Sequence, residues 1–332
     1  MFRPRNPEPT PLSQSRLAQI PIAGRAGIDV ATSPYPLPNT LEEAKRLDLQ
    51  HFIFHEVLHT NLIAPYGQTV RPLHESAERG RWTSQLIGQL QQQHASMPIR
   101  LPQQVLDVGC GTGRWAIEVA RQFPLATVVG VDIVAPARPF TDQEPTPPNF
   151  AFHRGNVLQG LALPEAGCEY VHMRCLGMGI PATRWQSVLE ELVRLVAPGG
   201  WVESVECGLP SDGGPMLTLV YEAFGQVLHA RGIALDDIRT VDSLMRRTQP
   251  SLNAIQSRLV EIPIGAHGGS IGLQMAWNCL LAIRNMGGYL QQGGFFLAEE
   301  WEALVQAVDQ ELHQMTYHPM LPVFLALGQR PA

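Results

Sequence analysis

Residues 105–113 read Val-Leu-Asp-Val-Gly-Cys-Gly-Thr-Gly, an acid followed by three glycines at alternate positions. The apolar run before them has the pattern of a buried strand. After them, 114-RWAIEVARQF-123 repeats Trp115, Ile117, Val119, Ala120 and Phe123 at helical spacing. A strand, a glycine turn and a helix N-terminus make a nucleotide cradle, because glycine reaches positive φ cheaply and lets the backbone approach a ligand. A dinucleotide fingerprint reads G-x-G-x-x-G and rests a pyrophosphate on the helix N-terminus. Here the spacing is G-x-G-x-G, at Gly109, Gly111 and Gly113, and Asp107 would repel a phosphate. A ligand carrying an ammonium group and a sulfonium centre suits that acid better, which describes S-adenosylmethionine. A second acid, Asp132, ends the strand pattern 127-TVVGVDI-133, where a carboxylate can accept both ribose hydroxyls. Asp132 suits NAD equally well, so Asp107 and the glycine spacing choose the cofactor.

Other residues could do chemistry too. His55-Glu56-Val57-Leu58-His59 is a literal H-E-x-x-H, in which two histidines one helical turn apart hold zinc and the glutamate acts as base. His51 extends that face, and His74 or Glu75 would be a third ligand. A zinc hydrolase leaves the glycine cradle unexplained, so no metal is expected and His59 is read as a substrate contact. At the end of a fourth strand stand His172, Met173, Arg174 and Cys175. Ligands in open α/β sheets lie beyond the carboxyl ends of the strands, so these residues should face the methyl donor or the acceptor. Arg174 is a poor candidate for burial without an anionic partner. His172 either faces the site or turns into the helix layer. Glu203 and Glu206 end the fifth strand three residues apart, hence on opposite faces, and Glu206 is the one assigned to the site. Transfer from a sulfonium needs orientation and desolvation, plus a base where the acceptor must lose a proton. Glu206 or His172 would be that base.

The elements that must position these groups alternate, which specifies a parallel sheet with helices on both faces. Strands are expected near 103–109, 127–132, 149–154, 168–173 and 201–207. Residues 1–38 carry eight prolines and read as an extended arm. Thr40 and Glu43 form a capping box for a helix over about 40–60, and a second helix is read over 72–95; together 39–100 make a helical lid segment. Residues 101–207 are the cofactor-binding core and 208–254 a helical lid insertion. In 255–332 a strand at 256–264, two helices within 270–314 and a closing strand at 322–328 follow. The last helix, 297-LAEEWEALVQAVDQEL-312, has a clear apolar stripe.

On these blocks the chain resembles the class I methyltransferases. VLDVGCGTG stands as their motif I, VVGVDI as the ribose motif, and 188-VLEELVRLVAPGGWVESVE-206 as their helix–Pro-Gly-Gly–strand block. Residues 35–54, the run LDVGCGTGRWAIEVA, 171-VHMR-174 and 324-FLALGQRP-331 resemble the LaeA-like methyltransferases of secondary metabolism. The resemblance implies a seven-stranded Rossmann-like doubly wound sheet whose last strand is antiparallel. It implies cofactor contacts at Asp107, Gly109, Cys110, Gly111, Gly113, Asp132, Ile133, Val157 and Met173. It also places Asn156 where the family often has an acid against the adenine amino group. Tyr35, His59 and Arg174 are assigned to the acceptor side. The implied activity is methyl transfer to a small molecule of specialised metabolism. The alternatives are a protein or peptide acceptor, or a regulatory protein that binds the cofactor with little turnover.

Composition narrows the rest. At 332 residues and 45% apolar content the chain can bury a full core. Net charge is −6, with a single lysine, Lys45, so there is no basic stripe for nucleic acid. Five cysteines without a C-x-x-C pair suggest no disulfide framework. The first twenty residues lack a signal-peptide apolar stretch, and 271-IGLQMAWNCLLAI-283 is too short and too polar to span a bilayer. A cytoplasmic, membrane-free protein is expected.

Overall fold

A computed structural model describes residues 11–19, 33–64, 101–136 and 145–332. The expected helix over 72–95, His74 and Glu75 lie outside these residues, as does most of the loop between the second and third strands.

Seven strands form one sheet: β1 Gln104–Val108, β2 Thr127–Asp132, β3 Phe150–Arg154, β4 Cys168–Arg174, β5 Val196–Cys207, β6 Asn253–Pro263 and β7 Met320–Gln329, in the order β3-β2-β1-β4-β5-β7-β6. The first five run parallel, and β7 lies antiparallel between β5 and β6. The reversal after β3 leaves β1 and β4 as neighbours, so a cleft opens beyond their carboxyl ends. The register also sets a polar row across the sheet. Asp107 on β1 is level with His172 on β4, and His172 with Glu203 on β5. β5 starts five residues earlier than expected because Val196 already pairs with Cys168 before the Pro-Gly-Gly irregularity.

The helices follow their apolar spacing. Helices α1 Gln14–Ala18 and α2 Leu41–Leu58 precede β1, and in α3, Arg114–Gln122, Trp115, Ala116, Ile117, Val119 and Ala120 are all buried; α4 is Trp185–Leu195, α5 Pro215–Ala230, α6 Val241–Met245, α7 Gly269–Gln292 and α8 Ala298–His313. The α8 stripe Trp301, Leu304, Val305, Val308 and Leu312 packs into the same hydrophobic cluster as α5 and α7. α2, Leu41–Leu58, packs along α7.

Two expectations change. Thr40 caps α2 by accepting the Glu43 N–H at 3.3 Å, but Glu43 does not close a capping box. Its buried carboxylate turns inward to Arg46 at 2.7 and 2.9 Å and to the Asn285 amide. Pairing a buried guanidinium outweighs a surface cap. The N-terminal segment is also not simply extended. Gln14–Ala18 form a short helix, α1, whose Leu17 is buried, and the Pro34 carbonyl accepts a bond from Arg231 at 3.1 Å.

Candidate functional site

The cleft encloses about 1300 Å³ including its mouth. On one side stands the glycine loop. Gly109, Gly111 and Gly113 have φ of 74°, 54° and 72°, the left-handed region that L side chains rarely adopt. A Cβ on Gly109 would sit 2.8 Å from Leu176 Cδ1. Asp132 at the end of β2 holds this loop: one oxygen accepts the Gly111 N–H at 2.9 Å and the other the Val134 N–H at 3.3 Å. Asp107, Cys110, Ile133, Asn156 and Val157 line the cleft as expected. The Asn156 oxygen is engaged locally, accepting the Leu158 N–H at 3.0 Å and capping a short 3-10 turn.

The inner end of the cleft is a buried polar row. Asp107 Oδ1 lies 2.8 Å from His172 Nδ1, and the imidazole stacks on Trp115 at 3.7 Å and 4°. His172 Nε2 is 3.8 Å from Glu203. Glu203 accepts the Ile63 N–H at 2.8 Å and the Tyr170 hydroxyl, and burial raises its carboxyl above the usual range. The His172 ring is thus clamped between Trp115 and two acids. Its ring still lines the cleft.

A second chain of contacts crosses from β4 to α2. Arg174 donates to His51 Nδ1 at 2.8 Å, and His51 Nε2 is 3.0 Å from Glu118. Arginine has only donors, so His51 accepts at Nδ1 and carries its proton on Nε2; burial lowers its pKa accordingly. Burial alone would raise Glu118, but the His51 imidazole 3.0 Å away and the Asn61 amide bring it down to about 2. Arg174 lines this cleft.

Three further assignments are relocated. His59 is exposed at the left-handed C-cap of α2 (φ 55°) and lines no part of the cleft; His51, two turns earlier, takes that place. The C-cap also takes His59 off the helix, breaking the face that H-E-x-x-H requires. Among the described residues no three His, Cys, Asp or Glu side chains are placed to hold a metal ion. Met173 is fully buried in the hydrophobic core, its side chain pointing away from the cleft, and Gly113 serves as N-cap of α3.

Glu206 faces the other side of β5, as its spacing from Glu203 requires. It lines a second cavity together with Tyr35, Gln50 and Cys175, which also line the first. Its two oxygens accept the Leu176 and Gly177 N–H groups at 3.1 and 2.8 Å. Burial pushes its carboxyl up to about 8. The sequence marked Tyr35 and Glu206 but none of Gln50, His51, Glu118 or the apolar walls of the second cavity as site residues. The one available signal was His51, placed on the buried face of α2 by its spacing to Phe54 and Leu58.

Residues 105–200 match the family model described as a methyltransferase domain. Methyltransferase str3 of Strobilurus tenacellus is 32% identical over 173 residues, 52% of this chain and 48% of that protein. The secondary metabolism regulator laeA of Coprinopsis cinerea is 41% identical over 101 residues, 30% of this chain and 24% of that protein. The chain thus spans about half of the first relative's length and a quarter of the second's. Among solved structures, phosphoethanolamine N-methyltransferase 2 of Haemonchus contortus aligns at TM-score 0.46 and 17% identity, covering 89% of this chain and 61% of that one. Around its glycine cradle the chain thus matches a methyltransferase domain, and it is similar to the LaeA-like group of S-adenosylmethionine-dependent methyltransferases.

Proposed function

We propose that the protein transfers a methyl group from S-adenosylmethionine to a small molecule. The observation that carries this reading is the junction of the two cavities at Tyr35, Gln50 and Cys175, inside the fold and under the N-terminal segment. A reaction between two ligands needs their sites to meet where water is excluded.

The residues of the first cleft fit the cofactor. Asp132 sits where a ribose diol can bond a carboxylate, and the glycine loop leaves room for backbone approach. A zwitterionic amino-acid tail needs an anion and a cation, and the ends of β1 and β4 supply Asp107 and Arg174. His172 and Trp115 fix the Asp107 carboxylate, and His51 fixes the Arg174 guanidinium. When bound, S-adenosylmethionine supplies an electrophilic methyl group on a sulfonium. Glu206, on the far side of the junction, would orient the acceptor.

A net charge of −6 and five free cysteines agree with a reducing, cytoplasmic setting and no nucleic-acid partner. Among the described residues no helix is long and apolar enough to cross a membrane.

The test incubates the protein with methyl-labelled S-adenosylmethionine and an extract of the cells that make it, separated into small-molecule and macromolecular fractions. Label should enter the small-molecule fraction. Label confined to protein would favour the peptide reading. Tight binding of S-adenosylhomocysteine with no labelled product in either fraction would favour a regulator.

A further inference from the structure

The second cavity has about 770 Å³ of space between its walls, its open mouth included. Beyond the end of β5, its apolar walls are Leu37 from the N-terminal segment, Phe224 from α5, Ile264 after β6, Met275 and Met286 from α7, and Leu321 from β7. Each of these is less than 9% exposed, so the space is internal to the fold and apolar. Methionine walls accommodate varied shapes.

Its charged lining residues are Arg46 and Glu206, and both are compensated. Arg46 is held in a bidentate pair by Glu43 and also donates from Nη1 to Asn278 Oδ1 at 3.2 Å. Glu206 has both oxygens bonded by backbone N–H groups, and its raised pKa leaves it largely protonated at neutral pH. The Tyr221 hydroxyl is paired with the Cys279 thiol at 3.2 Å. An ammonium or carboxylate entering here would lose its water without gaining a counter-charge, which is strongly unfavourable. Polar atoms concentrate instead at the junction with the donor cleft, at Tyr35, Gln50 and Cys175.

We infer that this second cavity is the acceptor site and that it takes an uncharged, largely apolar small molecule, with its polar reacting end at Tyr35 and Gln50 and its apolar body against α5 and α7. This inference rests on the methyl-transfer reading.

The full chain is saturated with S-adenosylhomocysteine and titrated with N-phenyl-1-naphthylamine, an uncharged apolar fluorophore. 1-Octanol, octylammonium and octanoate then compete for it. Binding should saturate and octanol should displace the probe, the two ions requiring at least about a hundredfold more. Ala282, on α7, lines the cavity. Ala282→Trp fills it and should weaken the probe by about tenfold or more, with affinity for S-adenosylhomocysteine changed by less than about twofold. Equal displacement by octylammonium or octanoate overturns the inference, as does unchanged probe affinity in Ala282→Trp. Should that variant also lose S-adenosylhomocysteine, its fold has been disturbed and competition on the unaltered chain decides. Failure of the unaltered chain to bind S-adenosylhomocysteine removes the donor reading itself, whatever the probe does.

Discussion

Substituting Glu206 by glutamine tests the electrostatics of the acceptor side without any ligand. The carboxyl is 1% exposed, and its pKa is raised from 4.5 to about 8 by burial. A group that holds its proton more tightly when folded contributes stability that is full below its unfolded pKa. That contribution is lost as pH rises towards the folded value, because the unfolded chain ionises first. At about 1.4 kcal/mol per pH unit, the wild type loses roughly 2 kcal/mol by pH 6 and on the order of 4 to 5 by pH 8. Glutamine cannot ionise and escapes this loss. It has one acceptor oxygen for two backbone donors, Leu176 and Gly177, so one N–H is stranded at about 1–3 kcal/mol. Glu206→Gln should therefore be less stable than wild type at pH 5, match it near pH 6 and exceed it by about 2–3 kcal/mol at pH 8. Urea unfolding of both proteins at each pH, followed by circular dichroism with matched m-values, measures the difference while shared titrations cancel. A difference that stays constant from pH 5 to 8 refutes burial as the source of the raised pKa.

Asp132→Asn should weaken S-adenosylhomocysteine binding in calorimetry by roughly 10- to 100-fold, the scale of lost charge-assisted hydrogen bonds, and unaltered protein should not bind NAD. His172→Leu leaves Asp107 and Glu203 buried without the imidazole between them and should lower unfolding stability by about 3–5 kcal/mol, with loss of donor affinity. Arg46→Met strands the Glu43 carboxylate at 2% exposure with only the Asn285 amide for company; a drop of similar size, about 3–5 kcal/mol in denaturant unfolding, is expected. Metal analysis of protein purified without chelator should return well under one equivalent of zinc, since His59 has left the α2 face that carries His55.

The amino-acid sequence by itself determined what is local. The alternate glycines and Asp107 announced the cradle, because positive φ and close approach depend on a few adjacent residues. Asp132 could be placed since a strand ends where its apolar alternation ends. The order of strands and helices specified the sheet, as a parallel crossover leaves few topologies open. The separation of Glu203 from Glu206 followed from strand periodicity alone.

Tertiary structure decided which side chains meet. The register of β1, β4 and β5 set His172 level with Asp107 and Glu203, and Trp115 came to stack on its ring. No spacing rule connects residues that far apart in sequence. Thr40-x-x-Glu43 had the form of a capping box, but the carboxylate was drawn inward by Arg46, and α7 brought Asn285 to it from 242 positions away. His59 lay on a helical pattern that stopped one residue earlier, and the left-handed cap turned it to solvent while His51 took the inward place. The second cavity has no signature in the sequence. Its walls are ordinary apolar residues of the N-terminal segment, α5, α7 and β7, and burial of an apolar side chain does not reveal whether it faces another side chain or an empty space. That distinction depends on how whole elements pack against one another, and only the folded chain settles it.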